Sequence, residues 1–186
     1  MGEQSEGRDL REGYVFDSEV KGADTTYWSV ITGTLATSGG KLRFNADRAV
    51  SFIQHIFGKY TFAVNVPTRP AANDNRVWGL RNPQAATIGA VYFHTDSQNF
   101  NAISYDNFGN VETTVLTFDS DNHDGNEIRY GISWERDLIQ FLIGDTVVAT
   151  HATRIGTVPL SIEIRNAAAD NMDVGYLEIR HAKNII

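Results

Sequence analysis

The sequence contains no cysteine. That excludes disulfide staples, thiolate metal sites and cysteine nucleophiles, and it leaves the redox compartment open. Only 4 of the 186 residues are proline, and no repeat, low-complexity tract or Pro/Ser-rich linker divides the chain. No apolar run approaches the roughly 20 residues of a membrane-spanning helix. Residues 1–12 are polar and carry both signs of charge, without the basic-then-apolar series of a secretory signal. On these grounds the chain reads as soluble, with no membrane span and with its localisation unassigned. Basic residues are outnumbered 16 to 23, for a formal charge of −7. Duplex binding needs clustered Lys and Arg, so nucleic acid is not an expected partner. Helical periodicity is scarce as well. Its best instance is residues 47–56, where Ala49, Phe52, Ile53 and Ile56 recur at helical spacing, yet the Val and Ile content there suits a strand equally well.

What is present is a succession of short alternating runs broken by turn residues. From Gly58 onward, Tyr60, Phe62, Val64 and Val66 share one face of a predicted strand. Leu160, Ile162 and Ile164 alternate with Ser161, Glu163 and Arg165, the pattern of a half-buried strand. Val174, Tyr176, Leu177 and Ile179 predict another, and the change of face near Tyr176 predicts a bulge. Ile128, Tyr130 and Ile132 lead to Trp134, and Glu135-Arg136-Asp137 turns the chain into 138–143. Gly144-Asp145 then reads as a two-residue hairpin, because glycine accepts positive φ without steric cost. Many short strands with almost no helix predict two packed antiparallel sheets. The expected organisation is a tail over 1–13 and a single β-sandwich domain over 14–186.

The run Tyr130-Gly131-Ile132-Ser133-Trp134, followed by Ile139-Gln140-Phe141-Leu142-Ile143-Gly144-Asp145, resembles the late strands of the concanavalin A-like lectin/glucanase superfamily. Trp28, Gly33 and Gly39-Gly40-Lys41-Leu42 resemble its opening, and Gly58-Lys59-Tyr60-Thr61-Phe62 one of its strands. The resemblance extends over Tyr14 to His181 and implies an all-β fold, a jelly-roll β-sandwich of two antiparallel sheets. In the laminarinase-like branch, two glutamates of an E-x-D-x-E or E-x-D-x-x-E strand act as nucleophile and acid/base, about 5–5.5 Å apart. The corresponding strand here is expected near Ala86 to His94, which has no carboxylate. Glu112, the only glutamate between Glu19 and Glu127, has no acidic neighbour at alternate spacing. The chain is therefore expected not to be an enzyme.

A flat ring covers the apolar face of a sugar, so the large aromatics are the candidate glycan contacts. Trp28 and Trp134 occupy core positions of the resemblance. Arg76, Trp78, Tyr92, His94 and Tyr105 are the candidate glycan-binding residues, with Arg81 as a further polar contact; packing inside the sandwich is the competing role for each. Asp119, Asp121 and Asp124 are candidate calcium ligands, since hard cations want clustered oxygens and the resemblance implies structural calcium. The EF-hand template does not fit there, and a solvated hairpin loop accounts for the same residues. His55, His94, His123, His151 and His181 form no metal-ligand spacing, and no Gly-x-Ser-x-Gly elbow or phosphate-binding glycine loop occurs. Calcium aside, no cofactor is expected.

The function expected on these grounds is a non-catalytic, lectin-like structural or adhesive module of a larger assembly, such as a virion decoration or surface protein. Its partners would be other proteins or further copies of itself, with a glycan as a further candidate partner. Residues 1–12 and the apolar Ile185-Ile186 are the expected contact segments. A free carbohydrate-binding module is the alternative. A glycoside hydrolase with an unrecognised carboxylate pair ranks last.

Overall fold

Alternation with a period of two governs the chain, and every helix or strand among the described residues is a strand. The computed structural model describes residues 14–16, 28–33, 36–38, 41–65, 75–82, 84–85, 87–96, 98–117, 127–168 and 171–181. The first strands are β1 (Tyr14–Phe16), β2 (Trp28–Thr32), β3 (Ala36–Ser38), β4 (Lys41–Phe44) and β5 (Arg48–His55). Next come β6 (Gly58–Asn65), β7 (Arg76–Arg81), β8 (Ala90–Thr95), β9 (Phe100–Tyr105) and β10 (Val111–Leu116). The last are β11 (Glu127–Trp134), β12 (Ile139–Ile143), β13 (Thr146–His151), β14 (Leu160–Asn166) and β15 (Met172–His181). Residues 47–56, open to either interpretation in the sequence, contain the strand β5 and no helix.

Two antiparallel sheets result. One has eight strands in the order β13-β12-β11-β6-β15-β4-β3, with β1 also paired to β15. The other has seven, in the order β10-β9-β8-β7-β14-β5-β2. Both sheets seat strands distant in sequence side by side, such as β6 with β15 and β7 with β14. This is the jelly-roll sandwich expected from the sequence.

The inner faces share one apolar core. Phe62, Tyr130, Trp134 and Phe141 enter it from the eight-stranded sheet, and Trp78, Phe93, Phe100 and Ile162 from the seven-stranded one. Ring centroids lie 5.0 Å apart for Trp78–Tyr130 and 5.2 Å for Phe93–Phe141, so aromatic contacts tie the layers together. The register of β15 on β6 shifts between Val174 and Tyr176, the bulge expected from the change of face. Ile143 pairs with Thr146, which leaves Gly144 (φ 59°) and Asp145 as the hairpin loop. The expected contact segments 1–12 and 185–186 lie outside the described residues.

Candidate functional site

The seven-stranded sheet has a second, outer face that is largely buried too. On β14, Leu160, Ile162 and Ile164 enter the core, so Ser161, Glu163 and Arg165 fall on the opposite face. Register then sets their neighbours. Glu163 lies beside Gly79, Gly79 beside Tyr92, and Tyr92 beside Ile103. One row further, Arg165 is followed by Val77, His94 and Asn101, with Arg48 of β5 on its other side. In the row on the other side, Ser161 is followed by Arg81, Ala90 and Tyr105. Val77, Ala90, Tyr92 and Ile103 form an apolar cluster of their own, with Tyr105 packed against it.

Glu163 is 1% exposed. A carboxylate so buried must be paired. Arg48 Nη2 donates to its Oε2 at 2.9 Å and Arg81 Nη1 to its Oε1 at 2.8 Å. The Arg81 guanidinium lies 5.2 Å from the centre of the Tyr92 ring, within cation–π range. Tyr92 and Tyr105 are stacked at 6.4 Å with 22° between their planes, and the edge of His94 lies 6.3 Å from Tyr92. Burial, then the neighbouring Tyr105, push the Tyr92 hydroxyl well above its ordinary value, so it stays protonated. Burial is also the first cause that lowers the His94 pKa; Asp96 opposes it, and Arg165 and Arg81 add to it. Asn75 Oδ1 accepts from Arg165 Nη2 at 2.9 Å and lies 3.3 Å from His94 Nε2. Asn75 Oδ1 can only accept, so His94 Nε2 is the donor in that contact.

The structure thus brings together Tyr92, His94 and Tyr105 of the expected glycan-binding set. It separates Trp78 and Arg76 from them. Trp78 is 0% exposed in the core, beside Phe93, Phe100 and Tyr130. Arg76 has the same strand parity and is buried at the end of β7, its Nε donating to Asn166 Oδ1 at 3.2 Å. Gly79 and Arg81 hold the outward positions of that strand. The residues missed by sequence reasoning are Glu163, Arg48 and Arg165. The signal that could have found Glu163 and Arg165 is the run of three alternate polar residues in Leu160–Asn166, and Arg48 has no such local signal.

Asp119, Asp121 and Asp124 lie outside the described residues. Among the described residues, no three His, Asp or Glu side chains are grouped to hold a metal ion. On the outer face of the eight-stranded sheet, Lys59, Arg129, Gln140 and Arg180 border a shallow groove of about 290 Å³ around Gly131. Glu178, paired with Arg180, and Asp145 are the carboxylates in its lining.

No family model matches the chain, and no curated protein matches its sequence. Solved structures do match in fold. The chain is similar to the apo Crh5 transglycosylase at 15% identity, over 93% of this chain and 88% of that one, with a TM-score of 0.74. It is similar to a laminarinase from Flavobacterium sp. UMI-01 at 12% identity, over 91% and 100%, with a TM-score of 0.72. A Bacillus licheniformis β-glucanase matches at 12% identity, over 91% and 99%, with a TM-score of 0.69. These neighbours are enzymes that act on carbohydrate, which corrects the expected function. They favour the hydrolase reading that the sequence ranked last over a non-catalytic structural or adhesive module. The expectation that the chain is not an enzyme loses its support with it, because it rested on residues 86–94 and on the isolated Glu112, and Glu163 stands outside both, two strands away on the same sheet. At these identities the likeness establishes the fold alone, the concanavalin A-like jelly-roll sandwich.

Proposed function

We propose that the protein acts on a polysaccharide laid across the outer face of the seven-stranded sheet, as a glycoside hydrolase or transglycosylase with Glu163 as a reacting carboxylate. The observation that carries this is the row Glu163–Gly79–Tyr92. It sets a buried, ion-paired carboxylate beside a position with no side chain, and an aromatic ring beyond. Glycosyl transfer passes through an oxocarbenium-like transition state, and a carboxylate at the anomeric carbon either captures that cation or stabilises it. The tyrosine rings can cover the apolar faces of the sugars, while Arg81 fixes both Glu163 and Tyr92. The described residues of this face supply Glu163 as one member of the carboxyl pair that glycosidases use. The fold shared with glucanases and a transglycosylase supports the same reading.

The test is release of reducing ends, or formation of transfer products, from a panel of neutral and acidic polysaccharides. Glu163→Gln should lower turnover by about 10²-fold or more, with oligosaccharide binding retained. Glu163→Asp, which keeps the charge, controls for misfolding, and thermal melting reports on both. Turnover that survives Glu163→Gln, or oligosaccharide binding with no turnover by the wild type across the panel, would overturn the proposal.

A further inference from the structure

The charge on this face runs opposite to the charge of the chain. The protein carries −7 overall. Yet on β5, β7, β8, β9 and β14 the outer face has three arginines, Arg48, Arg81 and Arg165, against Glu163 and, at the end of β8, Asp96. Asp96 is turned to its own loop, accepting from the backbone N–H groups of Gln98 and Asn99 and from Asn101 Nδ2. Glu163 is shared between Arg48 and Arg81.

Arg165 is left as the exception. Among the described residues no carboxylate lies within salt-bridge distance of it, and its hydrogen-bond partner is the neutral Asn75. Its Nε is buried without an acceptor. Burial, with Arg81 and Arg48 nearby, lowers its pKa, against the pull of Glu163. A half-buried guanidinium crowded by two others is electrostatically costly as it stands, and an anion beside it would relieve that cost. Its place is informative as well. Arg165 follows Glu163 on the same face of β14, two residues along, so a sugar substituent can reach it from a chain seated on the Glu163–Tyr92 row.

We infer that the polysaccharide taken by this face is acidic, with a carboxylate or sulfate group of the glycan bound by Arg165. The inference rests on the proposed use of the face and adds the class of substrate. A guanidinium offers parallel N–H donors that match either oxyanion, so the two chemistries are separated by experiment rather than by geometry.

Titration calorimetry with three oligosaccharides of equal length provides the test: oligogalacturonate, a sulfated oligosaccharide and a neutral β-glucan. The wild type should prefer at least one acidic ligand over the neutral one, and which one identifies the group. Arg165→Gln should weaken that acidic ligand by about 10- to 100-fold and leave the neutral one unchanged. Arg165→Lys, which retains charge without the planar fork, should fall between. Lys59→Gln/Arg129→Gln, on the opposite sheet, should have no effect. Equal or tighter binding of the neutral ligand overturns the inference and leaves the proposed function standing. So does acidic binding that Lys59→Gln/Arg129→Gln abolishes and Arg165→Gln does not. Binding of none of the three overturns both.

Discussion

A Cβ on Gly79 would lie 2.5 Å from both the Cα and the Cβ of Tyr92 on the neighbouring strand. No side chain fits there without moving β7 from β8. The glycine therefore lets the strands approach, and it places no side chain of its own between Glu163 and Tyr92. Gly79→Ala should push Tyr92 aside, at a cost of about 1–3 kcal/mol. It should also weaken any oligosaccharide seated on the row by more than it weakens the fold. Urea midpoints together with oligosaccharide titration measure both effects. An alanine variant with wild-type stability and wild-type affinity would show that the row is not the seat.

Much of the sandwich was legible because its strands bury one face. In β6, Tyr60, Phe62 and Val64 alternate with Lys59 and Thr61, and the core falls on the expected side. The turn at Gly144-Asp145 and the bulge near Tyr176 could be read for the same reason: each interrupts a clean alternation. The candidate site was hidden where alternation carries no information. All six residues of β7 are buried, so Val77, Gly79 and Arg81 cannot be told from Arg76, Trp78 and Leu80 by exposure. Of the two roles open to Trp78 in the sequence, glycan contact and packing inside the sandwich, it takes the second. Leu160–Ile164 of β14 are likewise buried throughout, although Ser161 and Glu163 are polar. Glu163 owes its burial to Arg48 and Arg81, which stand 115 and 82 positions away in the chain. No local spacing reports a partnership of that range.

Trp134 tests the alignment of the late strands. Its indole is fully buried, lies 5.2 Å edge-on to Phe57, and donates from Nε1 to the Gly156 carbonyl at 3.2 Å. Trp134→Ala would open a cavity and remove the donor from a buried carbonyl, at a cost of about 3–5 kcal/mol. Trp134→Phe keeps a ring and loses the hydrogen bond, so its cost should be the smaller of the two. Denaturant unfolding followed by circular dichroism gives the comparison. An alanine variant within about 1 kcal/mol of the wild type, or a phenylalanine variant as damaged as the alanine one, contradicts this account of the contact.

The two sheets are joined at one edge through His151. Its Nδ1 lies 2.8 Å from Ser104 Oγ and its Nε2 3.0 Å from Thr114 Oγ1, so a β13 side chain bridges β9 and β10 of the other sheet. A hydroxyl can donate or accept, so both bonds survive protonation of the ring; what opposes protonation is the apolar setting. His151 is fully buried with Phe141 at 5.0 Å, and burial lowers its pKa, with Glu112 pulling partly the other way. The unfolded chain, where a histidine titrates near about 6.5, then binds the proton more readily than the folded one. Stability from the neutral ring is fully present above that pH and is lost as pH falls through the lower, folded-state value. His94 is shifted in the same direction and adds to the same window. Asp96, Asp106 and Glu112 are shifted down from the carboxylate range, so their contributions disappear at lower pH. His151→Gln keeps a group able to reach the hydroxyls and removes the titration. Its melting temperature should therefore change less than that of the wild type between about pH 7.5 and pH 5.5, and His94→Gln measured alongside isolates the other histidine. Parallel melting curves for the wild type and His151→Gln across that interval would show that His151 is not the group that loses stability in acid.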